Sequence, residues 1–221
     1  MIIKTNHFEF EKVNWKNLEE LRLLRNTPVI QNYLVNNGEV SEEQQIAWFK
    51  KEDTINNHYF IAKQNNSVIG YCLLRHIDYE VGLAEPGTFI ATEDLFDSSM
   101  AALFMISFMD ICRFLFGIKK FHGNVLATNN RALTNYEWFG ADKEINKDKN
   151  EITLTETESQ PYEQSTNKIR KALRTLYDYE FDITIVMDKL VDNELCRNLF
   201  LSLANHLPGD IRSKVKVEIE N

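Results

Sequence analysis

The sequence predicts an α/β (α+β) fold: a mixed central β-sheet flanked by helices, with a small C-terminal αβαβ extension. Three observations predict it. Short runs with a two-residue apolar period alternate along the chain with runs of helical period. One strand-like run, GTFIA at 87–91, enters a long apolar helix that returns as another strand, KKFHGNVLA at 119–127. Such a unit implies a right-handed crossover within a mixed sheet. Finally, 221 residues that are 43% apolar and 26% charged, with only 8 Gly and 4 Pro, have the balance of a globular protein with a real core.

The elements follow in order. HFEFEKV, 7–13, alternates and reads as a strand. WKNLEELRLLRN, 15–26, places Leu18, Leu21 and Leu24 at helical spacing, and Pro28 ends that helix near Asn26. EVSEEQQIAWFKKE, 39–52, starts a second helix at the N-cap Ser41, with Glu43 and Gln44 in its first turn and Ile46, Trp48 and Phe49 as its apolar face. HYFIAKQ and SVIGYCLLRHI form a hairpin about a polar turn, DYEVGLAEP is a loop, and GTFIA is the third strand of this group. TEDLFDSS leads into the apolar helix 100–118, which Gly117 ends. KKFHGNVLA, a helix over 127–141 and the strand EITLTETES, 151–159, complete a domain of residues 1–164. Residues 165–221 add a basic amphipathic helix NKIRKALRTLYD, a strand FDITIVMD, a helix NELCRNLFLSLANHL stopped by Pro208 and Gly209, and a strand VKVEIE. This extension is near the lower limit for an independent core and is expected to pack on the main domain. Its role is open between dimerisation and closure over a binding site.

A net charge of −8 argues against nucleic acid as the main partner, since such binders present a basic patch. Cys72, Cys112 and Cys196 lie far apart, with neither CxxC pairing nor a histidine at metal-ligand spacing, so no metal is expected and the thiols read as reduced. The N-terminus lacks a basic-then-apolar leader, which places the expected location in the cytoplasm. The apolar stretch 100–118 approaches bilayer-spanning length, but Asp110 and Arg113 lie inside it, so it reads as a core helix that turns one edge to water.

The stretch ATNNRALTNYEWFGA, 127–141, carries a cap in Thr128 or Asn129 and a closing Gly140. Asn129 and Tyr136 stand about two turns apart and share a face, with Ala132 recessed between them and Leu133 and Trp138 available to the core. Its Asn129, Arg131-Ala132, Tyr136-Glu137 and Gly140, together with the element order over residues 1–160, resemble the final helix and fold of the GNAT superfamily of acetyl-CoA-dependent N-acetyltransferases. LRLLRNTPVIQNYLVNN, 21–37, followed by SEEQQIAWF, is similar to enzymes that acetylate amino groups on nucleotide-linked sugars, such as those serving flagellin glycosylation. A looser version is shared with ribosomal-protein N-terminal acetyltransferases. Arg25, Asn26 and Trp48 carry that narrower similarity.

The resemblance implies transfer of an acetyl group from acetyl-CoA to a primary amine, of a nucleotide-linked amino sugar in preference to a protein N-terminus. Tyr136 matches the residue whose hydroxyl protonates the departing thiolate. The N–H groups of Phe89, Ile90 and Ala91 match the strand that holds the thioester arm. Asn129 matches a cofactor contact, and Arg131 beside it is a candidate for a cofactor phosphate. Arg25, Asn26 and Arg75 are candidates for the acceptor. Among Glu85, Glu80, Asp78, His76 and His122, Glu85 ranks first as general base, while His122, flanked by apolar neighbours, reads equally as a core histidine. The superfamily's glycine-rich pyrophosphate loop aligns with LFDSSM, residues 95–100, which has neither glycine nor a leading basic or amide residue. Ser98, Ser99 and the first helical amides are what remains to meet a phosphate, and Asp97 is placed to cap the helix. That departure leaves a non-catalytic binding or scaffold protein of the same fold as the alternative.

Overall fold

The computed structural model describes residues 1–34, 38–146, 151–156, 162–189 and 192–220. The end of the expected 151–159 strand and the last residues of the 21–37 stretch lie outside these. Among the described residues ten strands run in chain order: β1 (Ile2–Lys4), β2 (Glu9–Lys12), β3 (His58–Gln64), β4 (Ser67–Asp78), β5 (Leu83–Ile90), β6 (Lys120–Leu126), β7 (Ala141–Asn146), β8 (Glu151–Glu156), β9 (Ile183–Asp188) and β10 (Val215–Glu220). The helices are α1 (Leu18–Arg25), α2 (Pro28–Gln31), α3 (Glu42–Glu52), α4 (Ser99–Asp110), α5 (Asn130–Trp138), α6 (Tyr162–Ser165), α7 (Asn167–Tyr177), α8 (Glu194–Asn205) and α9 (Gly209–Arg212).

The strands form one mixed sheet in the order β10-β9-β1-β2-β3-β4-β5-β6-β8-β7. Among the described residues only β9–β10 and β5–β6 are parallel, each pair joined through helices, α8 and α4 respectively, as a parallel crossover requires. The final segment therefore extends the same sheet by pairing β9 with β1. One face is covered by α4, α7 and α8 over Phe8, Phe10, Phe60, Phe104 and Phe108, and the other by α1 and α3 over Leu18, Leu21, Phe49, Tyr59 and Ile61. The two faces follow from alternation along β5, where Ala84 and Ile90 join the first cluster and Phe89 the second.

Local signals explain several boundaries. Ser41 and Gln44 form the expected reciprocal capping box on α3. Pro28 both follows the end of α1 and occupies the first position of α2, where its missing N–H costs nothing. Strands β1 and β7 were not foreseen, and Leu83–Pro86, read as loop, is the start of β5. The apolar helix is α4 continued by a π-turn over Ile111–Leu115 and ended by Gly117 in the left-handed region. The expectation that Asp110 faces water is overturned: its side chain is fully buried, and the Arg113 side chain is only 11% exposed. Burial is possible because each has opposite charge at hand, Arg170 for Asp110 and Glu156 for Arg113. Among the described residues no helix is long and apolar enough to cross a membrane. All three cysteines are free and buried.

His58, on β3, is 1% exposed and packed against the rings of Phe116 and Phe200 at 5.0 and 5.6 Å. Burial, followed by the nearby Lys12 charge, pushes its pKa down to about 3 from 6.5. The fold thus holds the neutral ring. Its contribution is fully present above pH 6.5, where the unfolded chain is also neutral, and is lost progressively toward pH 3 as the unfolded chain alone takes up the proton. Between pH 6.5 and pH 5 the loss is about 2 kcal/mol. Urea unfolding at pH 7 and pH 5 is expected to show the parent losing that much more than His58→Phe. Equal losses would mean that the ring charges inside the fold.

Candidate active site

Strands β5 and β6 pair only at Leu83↔Lys120 and Ala84↔Phe121. Beyond those residues they separate, and a cavity of about 680 Å3 opens between them, bounded by α1, α2 and α3 at one end and by the start of α4 and by α5 at the other. The Ala91 N–H donates to Ile69 O at 2.8 Å. Donors alternate sides along an antiparallel strand, so Phe89 also turns its N–H to β4, while Thr88 and Ile90 turn theirs toward the separation. Of the three amides expected there, only that of Ile90 faces the cavity. Thr88, which the sequence reading missed, joins it.

Helix α5 brings in Tyr136. Asn129 is its N-cap, accepting from the Ala132 N–H at 3.1 Å, and Gly140 follows it with φ 77°. Asn129 and Tyr136 both line the cavity. Trp138, expected to face the core, is instead 39% exposed. The Tyr136 hydroxyl donates to Pro86 O at 3.2 Å. Burial first, and the Glu85 charge second, push the phenol above its ordinary pKa, so it keeps its proton at neutral pH. Gly123 on β6 makes room for it: a Cβ there would lie 2.7 Å from the Tyr136 hydroxyl oxygen and 3.8 Å from Glu85 Cγ. The requirement for glycine comes from this cross-element approach, which no local pattern reveals.

Glu85 sits opposite Arg75, whose Nη2 donates to Oε1 at 2.6 Å, while His76 Nδ1 lies 3.1 Å from Oε2. Regular pleating would turn His76 to the other face from Arg75. A bulge prevents this: after Arg75↔Glu85 the next pair is Asp78↔Leu83, and His76 adopts φ 54° with its N–H held by Asn57 Oδ1 at 2.9 Å. One ligand-type atom each of His76, Glu85 and His122 falls within 4.8 Å of the others. The two remaining candidates for a base are elsewhere. Asp78 accepts the N–H groups of Glu80 and Val81 in the β4–β5 turn, and neither Asp78 nor Glu80 lines the cavity.

The phosphate end departs from expectation. Ser98, not Asp97, caps α4, accepting from the Ala101 N–H and donating to Leu95 O. Ser99 bonds the Tyr177 hydroxyl at 2.6 Å, which ties it to the final segment. Asp97, at φ 56°, turns outward to form a two-pronged ion pair with Arg131 at 2.9 and 3.0 Å. That guanidinium holds the Asp97 carboxyl below its usual range, also donates to the Tyr33 hydroxyl at 2.8 Å, and stacks on Phe96. Arg131 therefore links α5 to the residues just after α2 and just before α4.

At the opposite end, Arg25 and Arg75 line the cavity together with Trp48, Tyr59 and Tyr71. Asn26 does not. Its amide exchanges hydrogen bonds with both backbone groups of Val40, pinning the chain before α3 to the end of α1. The sequence reading missed Gln45, which is 2% exposed and lines the cavity with both amide atoms unpartnered among the described residues. Neither its glutamine identity nor its place in the first turn of α3 signals burial. Only the packing of α3 against the sheet turns it inward.

No protein-family model matches the sequence, and no curated protein matches it. Solved structures do. The chain is similar to spermidine N-acetyltransferase from Vibrio cholerae, solved with CoA and spermine, at 17% identity and a TM-score of 0.58, covering 68% of this chain and 95% of that one. It is also similar to a GCN5-related N-acetyltransferase from Brucella melitensis at 15% identity and a TM-score of 0.60, covering 91% of this chain and 94% of that one, so the likeness runs beyond residue 164. The chain thus has the fold of the GNAT N-acetyltransferases.

Proposed function

We propose that the chain is an acetyl-CoA-dependent N-acetyltransferase of the cytoplasm, acting on a primary amine of a small anionic molecule such as a nucleotide-linked amino sugar. The observation that carries this reading is the convergence, over Gly123, of a buried phenol held by Pro86 O and a carboxylate oriented by Arg75. A proton acceptor and a proton donor at one opening are what amine acylation needs.

The cavity suits the cosubstrate along most of its length. The Thr88 and Ile90 amides would hold the pantetheine arm, and the first-turn amides of α4 offer donors to a phosphate. Acetyl-CoA supplies an activated acyl group. Glu85 removes the proton of the acceptor ammonium, directly or through water. The amine nitrogen bonds the acyl carbon as the carbon–sulfur bond breaks, and the Tyr136 hydroxyl gives its proton to the sulfur. The second proton that the acylated nitrogen sheds restores the phenol through water, while Glu85 releases its own to solvent. Arg25, Arg75 and Gln45 would bind the acceptor, and two guanidinium groups beside a Glu85 already paired favour an anionic acceptor over a polyamine.

One observation favours the second reading, a non-catalytic binding protein: LFDSSM lacks the glycines that let phosphate approach, and Asp97 occupies Arg131. Thermal melting with millimolar acetyl-CoA separates the two, because a ligand selective for the native chain must stabilise it. A rise in Tm together with thiol release, faster on nucleotide-linked amino sugars than on polyamines or an N-terminal peptide, is expected. No shift would overturn the transferase reading. Asp97→Asn, which tolerates the left-handed backbone and frees Arg131 for a phosphate, is expected to tighten acetyl-CoA binding severalfold by calorimetry. Weaker binding would mean that the ion pair itself builds the pocket.

A further inference from the structure

We propose that His76, Glu85 and His122 form a binding site for a divalent transition-metal ion, with zinc the best match. One donor atom of each lies within 4.8 Å of the other two, although the residues come from two strands and a bulge. Two imidazoles and one carboxylate suit zinc, cobalt, nickel or copper, whereas magnesium and calcium require a shell of oxygens. Bonds of about 2.0–2.2 Å to a central ion require the three donors to draw closer than they stand, by small side-chain rotations.

Three further features fit a site. Glu85 is oriented for single-oxygen ligation, since Arg75 holds Oε1 at 2.6 Å and leaves Oε2 on the histidine side. A hydrogen-bonded second oxygen is the usual outer support of a metal-bound carboxylate. His76 is a non-glycine residue at φ 54° whose backbone is fixed by Asn57, and this bulge is what brings its ring to Glu85. Strained backbone of this kind gathers at functional sites. His122 Nδ1 is enclosed and has no hydrogen-bond partner among the described residues. Three protein ligands leave a fourth position for water or another small donor.

The site stands independently of acetyl transfer. Where Glu85 serves as the base, an ion bound to Oε2 withdraws it, so zinc inhibits.

The test uses the full chain stripped of metal and titrated with zinc by calorimetry, with cobalt(II) absorption as a second readout and magnesium as a comparison. One zinc per chain is expected, with the visible absorption of low-symmetry cobalt and no response to magnesium. His76 has a side chain 59% exposed, so His76→Asn removes a ligand without opening the core, and asparagine accepts the same backbone conformation. It is expected to weaken zinc at least tenfold while its melting temperature in the absence of metal stays at the parent value. His122→Gln is expected to weaken zinc to a similar degree. Absence of one-to-one binding in the parent, or unchanged zinc affinity in His76→Asn, would overturn the proposal.

Discussion

Asp110→Ala is expected to lower the unfolding free energy by about 3–5 kcal/mol. The carboxylate is fully buried at the end of α4 and is fully engaged. Its Oδ1 accepts from the Tyr162 hydroxyl at 2.8 Å and its Oδ2 from the Tyr179 hydroxyl at 2.7 Å. Arg170 adds a two-pronged pair, Nη1 to Oδ2 at 2.7 Å and Nη2 to Oδ1. Burial, and then the Asp110 charge, push both phenols well above their ordinary range, so they remain donors. The alanine variant leaves one nearly buried guanidinium and two phenols without their acceptor, and removing one member of such a set costs far more than the set contributes over an apolar replacement. Asp110→Asn keeps oxygen for part of the network and should lose roughly half as much. Urea unfolding measures both. A loss below about 1 kcal/mol for alanine would mean that water reaches the site and hydrates the orphaned groups. Because Tyr162, Arg170 and Tyr179 all lie beyond β8, this cluster is also what fastens the final segment to α4.

That cluster marks where the sequence stops being readable. Asp110 inside an apolar helix is a local anomaly, and local reasoning can only turn it to water or call it membrane-incompatible. Its partners are 52, 60 and 69 residues away. The same limit explains His76, Glu85 and His122: no short spacing connects them, and a bulge invisible to periodicity re-aims His76. By contrast, the strand–helix–strand crossover around α4, the capping box at Ser41 and the capped helix with Asn129 and Tyr136 on one face were legible, because each depends on residues within a few turns of one another. β7 escaped because the Gly140 that ends α5 leads into it directly, with a run, ADKEIN, carrying few apolar residues. At the cavity, the polarity of residues was legible and their commitments were not. Ser98, Ser99, Asn26 and Arg131 are the right types at the right places to meet a ligand, yet each already holds a protein partner.

Under the transferase reading, Tyr136→Phe is expected to depress kcat by about a hundredfold, the usual scale for loss of a positioned general acid, with acetyl-CoA affinity within about threefold of the parent. The ring can stay in place, because its contact with Phe139, at 6.2 Å between centroids, does not involve the hydroxyl. What disappears is one oxygen, the one bonded to Pro86 O. Gly123→Ala disturbs that oxygen without removing it: its Cβ would stand 2.7 Å away, closer than real side chains tolerate, so the hydroxyl must move although tyrosine remains. Thiol release measured on both variants therefore distinguishes the presence of a phenol from its position. If position matters, the two variants fall together in kcat, and a smaller donor cannot rescue Gly123→Ala. If Tyr136→Phe turns over at the parent rate, the departing sulfur takes its proton elsewhere and Tyr136 is a wall of the cavity. Should Gly123→Ala alone fail, with Tyr136→Phe active, the cause is the displaced Tyr136 ring and not a lost proton, since Glu85 Cγ at 3.8 Å would be in ordinary contact with the added carbon.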